Sequence, residues 1–274
     1  MNANADQRLE QLLSEQYDAF QAIHESWGQG ETYFNWGYQT ALHQPLAATR
    51  ERLVCEVFRA LGPGPGDRII DVGFGSGAQD LWAARHHDFA ELIGFNISAR
   101  QVQEARRRAA ELGLDGRLRF HHQPAEDMAA LADASADGLV AIECAPHFDR
   151  PRFYKEAARV LRPGARMVLA DICFCAALSP AIRSGPPPLR RMGTIRDNQA
   201  SWSPWFVTRE LRNINWQTLP GCQRTVFAVL RSLARVDAGP HRRHWVELAK
   251  TSQIMSIGLL VRAIRYDLIV LERR

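Results

Sequence analysis

Apolar residues recur at helical spacing near the start of the chain, where Leu9, Leu12, Leu13, Tyr17, Phe20 and Ile23 predict an amphipathic helix. A stretch rich in glycine and aromatics follows: Gly28, Gly30, Tyr33, Phe34, Trp36, Gly37 and Tyr38. The helical pattern resumes from Pro45 to Leu61 and stops at Gly62-Pro63-Gly64-Pro65-Gly66. Short apolar runs then alternate with helical patterns. Strands are expected at Arg68 to Val72, Glu91 to Phe95, Leu118 to His121, Asp137 to Ile142 and Met167 to Phe174. The helices expected between them are Gly77 to His86, Ala99 to Leu112, a short one around Ala125 to Leu131, and Arg152 to Leu161. This rhythm predicts an α/β fold, a doubly wound and mostly parallel sheet with helices on both faces. Such sheets bind ligands outside the carboxyl ends of their strands.

After Cys175 the rhythm breaks. Ser184 to Pro188 is proline-rich, Trp202, Pro204, Trp205 and Phe206 follow, and helical patterns run to about Leu233. Ile257 to Arg273 alternates like a closing strand, or like a hairpin whose first half is Ile257 to Ala263. The organisation expected is therefore a helical lid at 1–60, a ligand-binding core at 61–177, a cap at 178–250 and closing strands at 251–274.

Composition and charge remove several classes. The 274 residues are 46% hydrophobic, enough for a real core, and the net charge is only +4. Arg106, Arg107 and Arg108 sit beside Glu104 and Glu111 in a helical pattern, which predicts a solvated face. No basic stretch is interleaved with aromatics, so no nucleic-acid partner is expected. Cys55, Cys144, Cys173, Cys175 and Cys222 are odd in number and form no C-x-x-C pair, which argues for reduced core thiols and against a disulfide framework or a metal site. The first residues are polar and acidic, and no apolar run is long enough to span a bilayer, so a cytoplasmic protein is expected.

The strongest chemical signal is Ile69-Ile70-Asp71-Val72-Gly73-Phe74-Gly75-Ser76-Gly77, between a strand and a helix. Its glycines permit a tight turn and close approach of a ligand to the backbone. The spacing is G-x-G-x-G with an acid at the strand end. Asp71 would repel a pyrophosphate but can accept a hydrogen bond from an ammonium, which favours a ligand with an amino-acid moiety. With these residues the stretch from about Gly66 to Ile172 resembles the class I methyltransferases that use S-adenosylmethionine (SAM), whose sheet is Rossmann-like. The resemblance implies SAM contacts from Asp71, Gly73, Gly75 and Gly77. It puts Asn96 at the ribose hydroxyls, where the family usually has an acid, and Ile97 and Gln101 among the cofactor contacts. It puts the adenine near Ala125, Glu126, Asp127 and Met128, although Glu126 and Asp127 read equally well as a solvated helix start. Tyr33 and Glu143 complete the implied cofactor set. Phe34-Asn35-Trp36-Gly37-Tyr38 resembles the segment that closes over the methionine end of SAM in this group, with core packing as the alternative.

Glu143-Cys144-Ala145-Pro146-His147-Phe148, then Phe153 to Gly164, then Leu169-Ala170-Asp171-Ile172 resemble the small-molecule O-methyltransferases of antibiotic pathways, including the macrolide and deoxysugar enzymes. That resemblance implies His147 as a general base and Asp171 as its partner. The chemistry agrees, because an attacking hydroxyl must lose its proton and imidazole suits the task near neutral pH. The alternatives are a structural histidine at 147 and a cap or salt-bridge partner at 171. His86-His87 and His121-His122 are adjacent pairs, not ligand pairs. The expected activity is methyl transfer from SAM to a hydroxyl of a natural product, on a small-molecule acceptor, with a homodimer left open. Carbon or nitrogen methylation of an isoprenoid, lipid or alkaloid-like acceptor is one alternative. A methyltransferase fold that only binds SAM or catalyses a cyclisation is another.

Overall fold

A computed structural model describes residues 11–18, 33–184, 187–235 and 242–274. The expected N-terminal helix is described only at residues 11–18, here α1; Leu9, Phe20, Ile23, Gly28 and Gly30 lie outside the described residues. There follow α2 (Leu46–Leu61), β1 (Arg68–Val72), α3 (Ala78–His86), β2 (Glu91–Asn96), α4 (Ala99–Glu111), β3 (Leu118–His122), β4 (Ala136–Ile142), α5 (Arg150–Val160) and β5 (Leu161–Phe174). The later elements are α6 (Ser179–Arg183), α7 (Pro187–Met192), α8 (Ile195–Trp202), β6 (Phe206–Asn213), α9 (Asn215–Arg235), α10 (Arg242–Leu260) and β7 (Ile264–Arg273).

The seven strands form one sheet in the order β3-β2-β1-β4-β5-β7-β6. The first five are parallel, and β7 runs antiparallel between β5 and β6. Side chains alternate across the sheet, so neighbours in sequence feed different layers. Ile69, Val140, Val168 and Leu268 pack in one layer with Leu53, Phe58, Leu81 and Val102. Ile70, Leu139, Met167 and Ile269 pack in the other with Phe153, Tyr154 and Trp202. Both faces are covered, as a parallel sheet requires. The strand order reverses between β1 and β4, and ligand crevices form at such a switch point.

Three local expectations change. Residues 125–131 make turns and not a helix. Pro124 precedes them, and side chains take up their backbone groups: Glu156 accepts from Met128 N–H at 2.9 Å, and Arg159 donates to the Met128 and Leu131 carbonyls. Phe206–Asn213 is a strand and not a helix, because β7 offers it a full antiparallel ladder. The cap expected at 178–250 is thus two helical pieces, α6–α8 and α9–α10, separated by a strand of the core sheet. Ile257 to Ala263 belongs to no hairpin; α10 continues to Leu260, and the closing strand begins at Ile264. All five cysteines are free thiols, as expected.

Candidate active site

A cavity of about 300 Å³ opens at the carboxyl ends of the parallel strands, at the lower end of the range for small-molecule sites. Its floor is the β1–α3 loop. Gly73, Gly75 and Gly77 all have positive φ. A Cβ on Gly73 would stand 2.4 Å from Cys144 Cβ, and one on Gly75 would stand 3.0 Å from the Phe34 ring. Only glycine fits the first of these, and the turn leaves bare backbone facing the cavity.

Of the residues implied for the cofactor, the structure brings Tyr33, Gly73, Gly75, Asn96, Ile97, Gln101, Ala125, Glu126 and Glu143 to the cavity wall. Asp71 and Gly77 stand behind it. Asp71 is fully buried and accepts from Gln79 Nε2 at 2.5 Å, while Gln79 reaches the cavity. Burial raises the Asp71 carboxyl above its ordinary range, and burial together with the Asp71 charge raises Asp80 further. Two carboxyls enclosed side by side cannot both ionise, so the pair holds a proton. Asp71 itself does not reach the cavity; the Gln79 side chain that it holds does.

Asn96 donates Nδ2 to Gln101 Oε1 at 2.8 Å and accepts from Ser98 N–H at 3.2 Å. Gln101 Nε2 is buried at the cavity wall with no hydrogen-bond partner among the described residues. An unpaired buried donor is costly, which marks a place for a ligand oxygen. Glu126 accepts from Asp149 N–H at 2.7 Å, so this acid also braces the start of α5.

Glu143 ends β4 in a left-handed conformation, φ 58. Its Oε1 accepts from Trp36 N–H at 2.7 Å and from Tyr266 Oη at 2.5 Å. Burial is the main cause that pushes its carboxyl up to about 8. It is therefore a neutral acid at pH 7 that ties the aromatic segment at 33–38 to β7.

His147 lies one short helical turn further on and lines the cavity. Its Nε2 is 2.7 Å from Tyr17 Oη, and the two rings meet edge to face. Burial, then the guanidiniums of Arg150 and Arg191, push the imidazole down to about 4. Asp171 is not its partner. Asp171 takes a bidentate pair from Arg150, at 2.6 and 3.0 Å, and both side chains are almost wholly buried. The salt-bridge alternative is the one found. The register gives the reason: Asp171 faces Asp267 across β5 and β7, and each acid needs its own cation, Arg150 for one and Arg265 for the other. Nothing in Arg150-Pro151-Arg152 signalled this pairing in the sequence. Tyr17, Gln79, Arg150, Arg191 and Tyr266 are the site residues that sequence reasoning missed: Tyr17, Arg191 and Tyr266 arrive from elements distant in sequence, while Gln79 and Arg150 sit beside predicted residues but match no motif.

The α/β sheet thus carries a glycine loop after its first strand, a buried amide donor after the second and a buried imidazole after the fourth, all at one cavity. Residues 70–169 match the family described as Methyltransferase domain, so the resemblance to SAM-dependent methyltransferases holds over that stretch. The chain is 31% identical over 182 residues to erythromycin 3''-O-methyltransferase of Saccharopolyspora erythraea, covering 65% of this chain and 58% of that one. It is 34% identical over 167 residues to 27-O-demethylrifamycin SV methyltransferase of Amycolatopsis mediterranei, covering 60% and 59%. It spans about half the length of the curated relatives it matches. Among solved structures, the [4+2]-cyclase SpnF superposes with a TM-score of 0.81 at 19% identity, covering 97% of this chain and 96% of that one. That likeness bears on the fold alone. Among the described residues, no helix is long and apolar enough to cross a membrane.

Proposed function

We propose that this protein transfers a methyl group from SAM to a hydroxyl of an apolar small-molecule natural product, with His147 as the general base. The observation that carries the reading is a neutral, buried imidazole on the wall of the glycine-loop cavity. The named relatives are O-methyltransferases of antibiotics, which agrees with it.

When bound, SAM supplies an electrophilic methyl on a sulfonium. The chain's residues fit it: bare loop backbone at Gly73 and Gly75, the unpaired Gln101 Nε2 for a ribose hydroxyl, and Gln79 for the polar end of the methionine moiety. The acceptor part of the wall is apolar, with Phe148, Ile172, Met192, Leu248 and Met255. Two methionines there suit a bulky, irregular skeleton. α1 and the α9–α10 pair contribute Leu13, Thr225 and Leu248 to the wall, and they would keep water from competing as an acceptor. Carbon methylation is disfavoured. It would use a carboxylate to stabilise a carbocation, and Glu143 is held as the acid with Oε1 already engaged.

The test is labelled SAM with a panel of hydroxyl acceptors: 3''-O-demethyl erythromycin, 27-O-demethylrifamycin SV and cyclohexanol. His147→Ala should cut single-turnover methylation by roughly 10²–10⁴-fold while cofactor affinity stays near wild type. Label in no alcohol, from protein that binds SAM by calorimetry, would sink the hydroxyl reading. Equal rates for wild type and His147→Ala would remove the base.

A further inference from the structure

The Tyr17–His147 contact is long in sequence and short in space. Tyr17 sits on α1, the helix that two bonds seat on the cofactor side of the cleft. Ser14 Oγ donates to the Ile97 carbonyl at 3.1 Å, and Asp18 bonds Ser98. From there the Tyr17 ring crosses to the acceptor side and brings its hydroxyl to His147 Nε2 at 2.7 Å. Cys144 and Glu143, at the end of β4, lie near the hydroxyl. Burial first, then those two groups, raise the phenol above its ordinary range, so Tyr17 stays protonated. His147 is pushed down to about 4 and stays unprotonated. Nε2, when it carries the lone pair, is therefore taken by the phenol: the hydroxyl donates and the imidazole accepts. An acceptor alcohol that enters the cavity finds the nitrogen occupied and the phenol oxygen beside it.

We propose that Tyr17 is a catalytic residue that relays the acceptor's proton to His147. The acceptor oxygen forms its bond to the methyl carbon, and the C–S bond breaks with its electron pair kept by sulfur. The acceptor's proton passes to Tyr17 Oη as the Tyr17 proton passes to His147 Nε2. The phenol is regenerated, and the imidazolium carries the charge until solvent removes the proton. No free phenolate forms, which suits a tyrosine whose ionisation is made harder by burial. The relay also requires α1 in its seat, so proton transfer is available only when the lid is closed.

This rests on His147 as base, and the experiment separates the two. In protein without cofactor or acceptor, ¹⁵N NMR of His147 should show a hydrogen-bonded Nε2 acceptor in wild type and a free one in Tyr17→Phe. In single-turnover methylation of whichever panel alcohol is labelled, Tyr17→Phe should lose about 10²-fold with SAM affinity intact by calorimetry. Tyr17→Phe/His147→Ala should be no slower than His147→Ala alone. The rate against deuterium fraction should bow for wild type, as two protons move, and be straight for Tyr17→Phe. A straight wild-type line, or a wild-type rate in Tyr17→Phe, overturns the relay. If His147→Ala is slow while Tyr17→Phe is fast, only the relay falls. If His147→Ala keeps the wild-type rate, or no alcohol is labelled, the base and the relay fall together.

Discussion

His147 is enclosed by the rings and cations of three separate elements: Tyr17 from α1, Arg150 from α5 and Arg191 from α7. Burial first, and then these cations, make it a weaker base than free imidazole and keep it unprotonated across the physiological range. The acid limb of kcat/KM, which reports the free enzyme, should therefore fall near pH 4 and not near 6.5. A limb centred at 6.5 would mean that His147 is not the group titrating. Asp171 acts differently from its expected role. Removing its charge leaves Arg150 buried and unpaired, a change that typically costs about 3–5 kcal/mol. Asp171→Asn should thus lower the denaturation midpoint strongly, as measured by urea unfolding, and a fully stable variant would contradict the pairing. Glu143 gives a third residue-scale test. Glu143→Gln keeps the Oε1 acceptor for Trp36 and Tyr266 and should be near neutral at pH 7. Glu143→Ala orphans both donors and should cost about 1–3 kcal/mol for each that stays dry.

At the level of elements, the cavity is closed by pieces whose seats are backbone contacts. Gly221 in α9 is the clearest. A Cβ there would stand 1.6 Å from the Trp36 carbonyl oxygen, so the helix lies directly on the aromatic segment. Gly221→Ala must push α9 away from residues 33–38, and overpacking of this kind costs about 1–3 kcal/mol. It should also open the acceptor end, seen as a raised KM for the alcohol with SAM affinity little changed. An unchanged Tm and KM would show that α9 is not seated there. The edge strand β6 solves a different problem. Thr208, Arg209 and Glu210 are exposed along it, and Arg209 pairs with Glu272 of β7, which discourages a further strand from adding. Such a strand contains too few apolar residues for its alternation to stand out.

Taken as one molecule, the protein holds two buried groups shifted in opposite senses, and stability should reflect both. His147 goes from an ordinary 6.5 to about 4, so its share of stability is whole above 6.5 and is lost as pH falls towards 4. Glu143 goes from an ordinary 4.5 to about 8, so its share is whole below 4.5 and is lost as pH rises through 8. The two slopes oppose each other between about 4.5 and 6.5, so Tm should be nearly flat there and fall as pH rises from 6.5 to 8. Glu143→Gln should abolish that fall and leave a loss only as pH drops below 6.5, and His147→Ala should leave a continuous fall from 4.5 to 8; slopes unchanged in both variants would refute the assignment. The strand–helix alternation from Arg68 to Phe174 and the glycine loop were legible because they rest on local periodicity and on the backbone angles that only glycine adopts freely. Asn96, Gln101 and His147 were legible as candidates through the family resemblance, and all three lie at or shortly beyond the carboxyl ends of parallel strands, which deliver such residues to one rim. The turns at 125–131, the strand at Phe206–Asn213 and the split cap were not, because side chains from α5 and the ladder of β7 decided them. Above all, the pairing of charges was decided only in three dimensions. Asp171 belongs to Arg150 and His147 to Tyr17 because burial makes each polar group take the nearest partner, and that partner comes from wherever packing brings it.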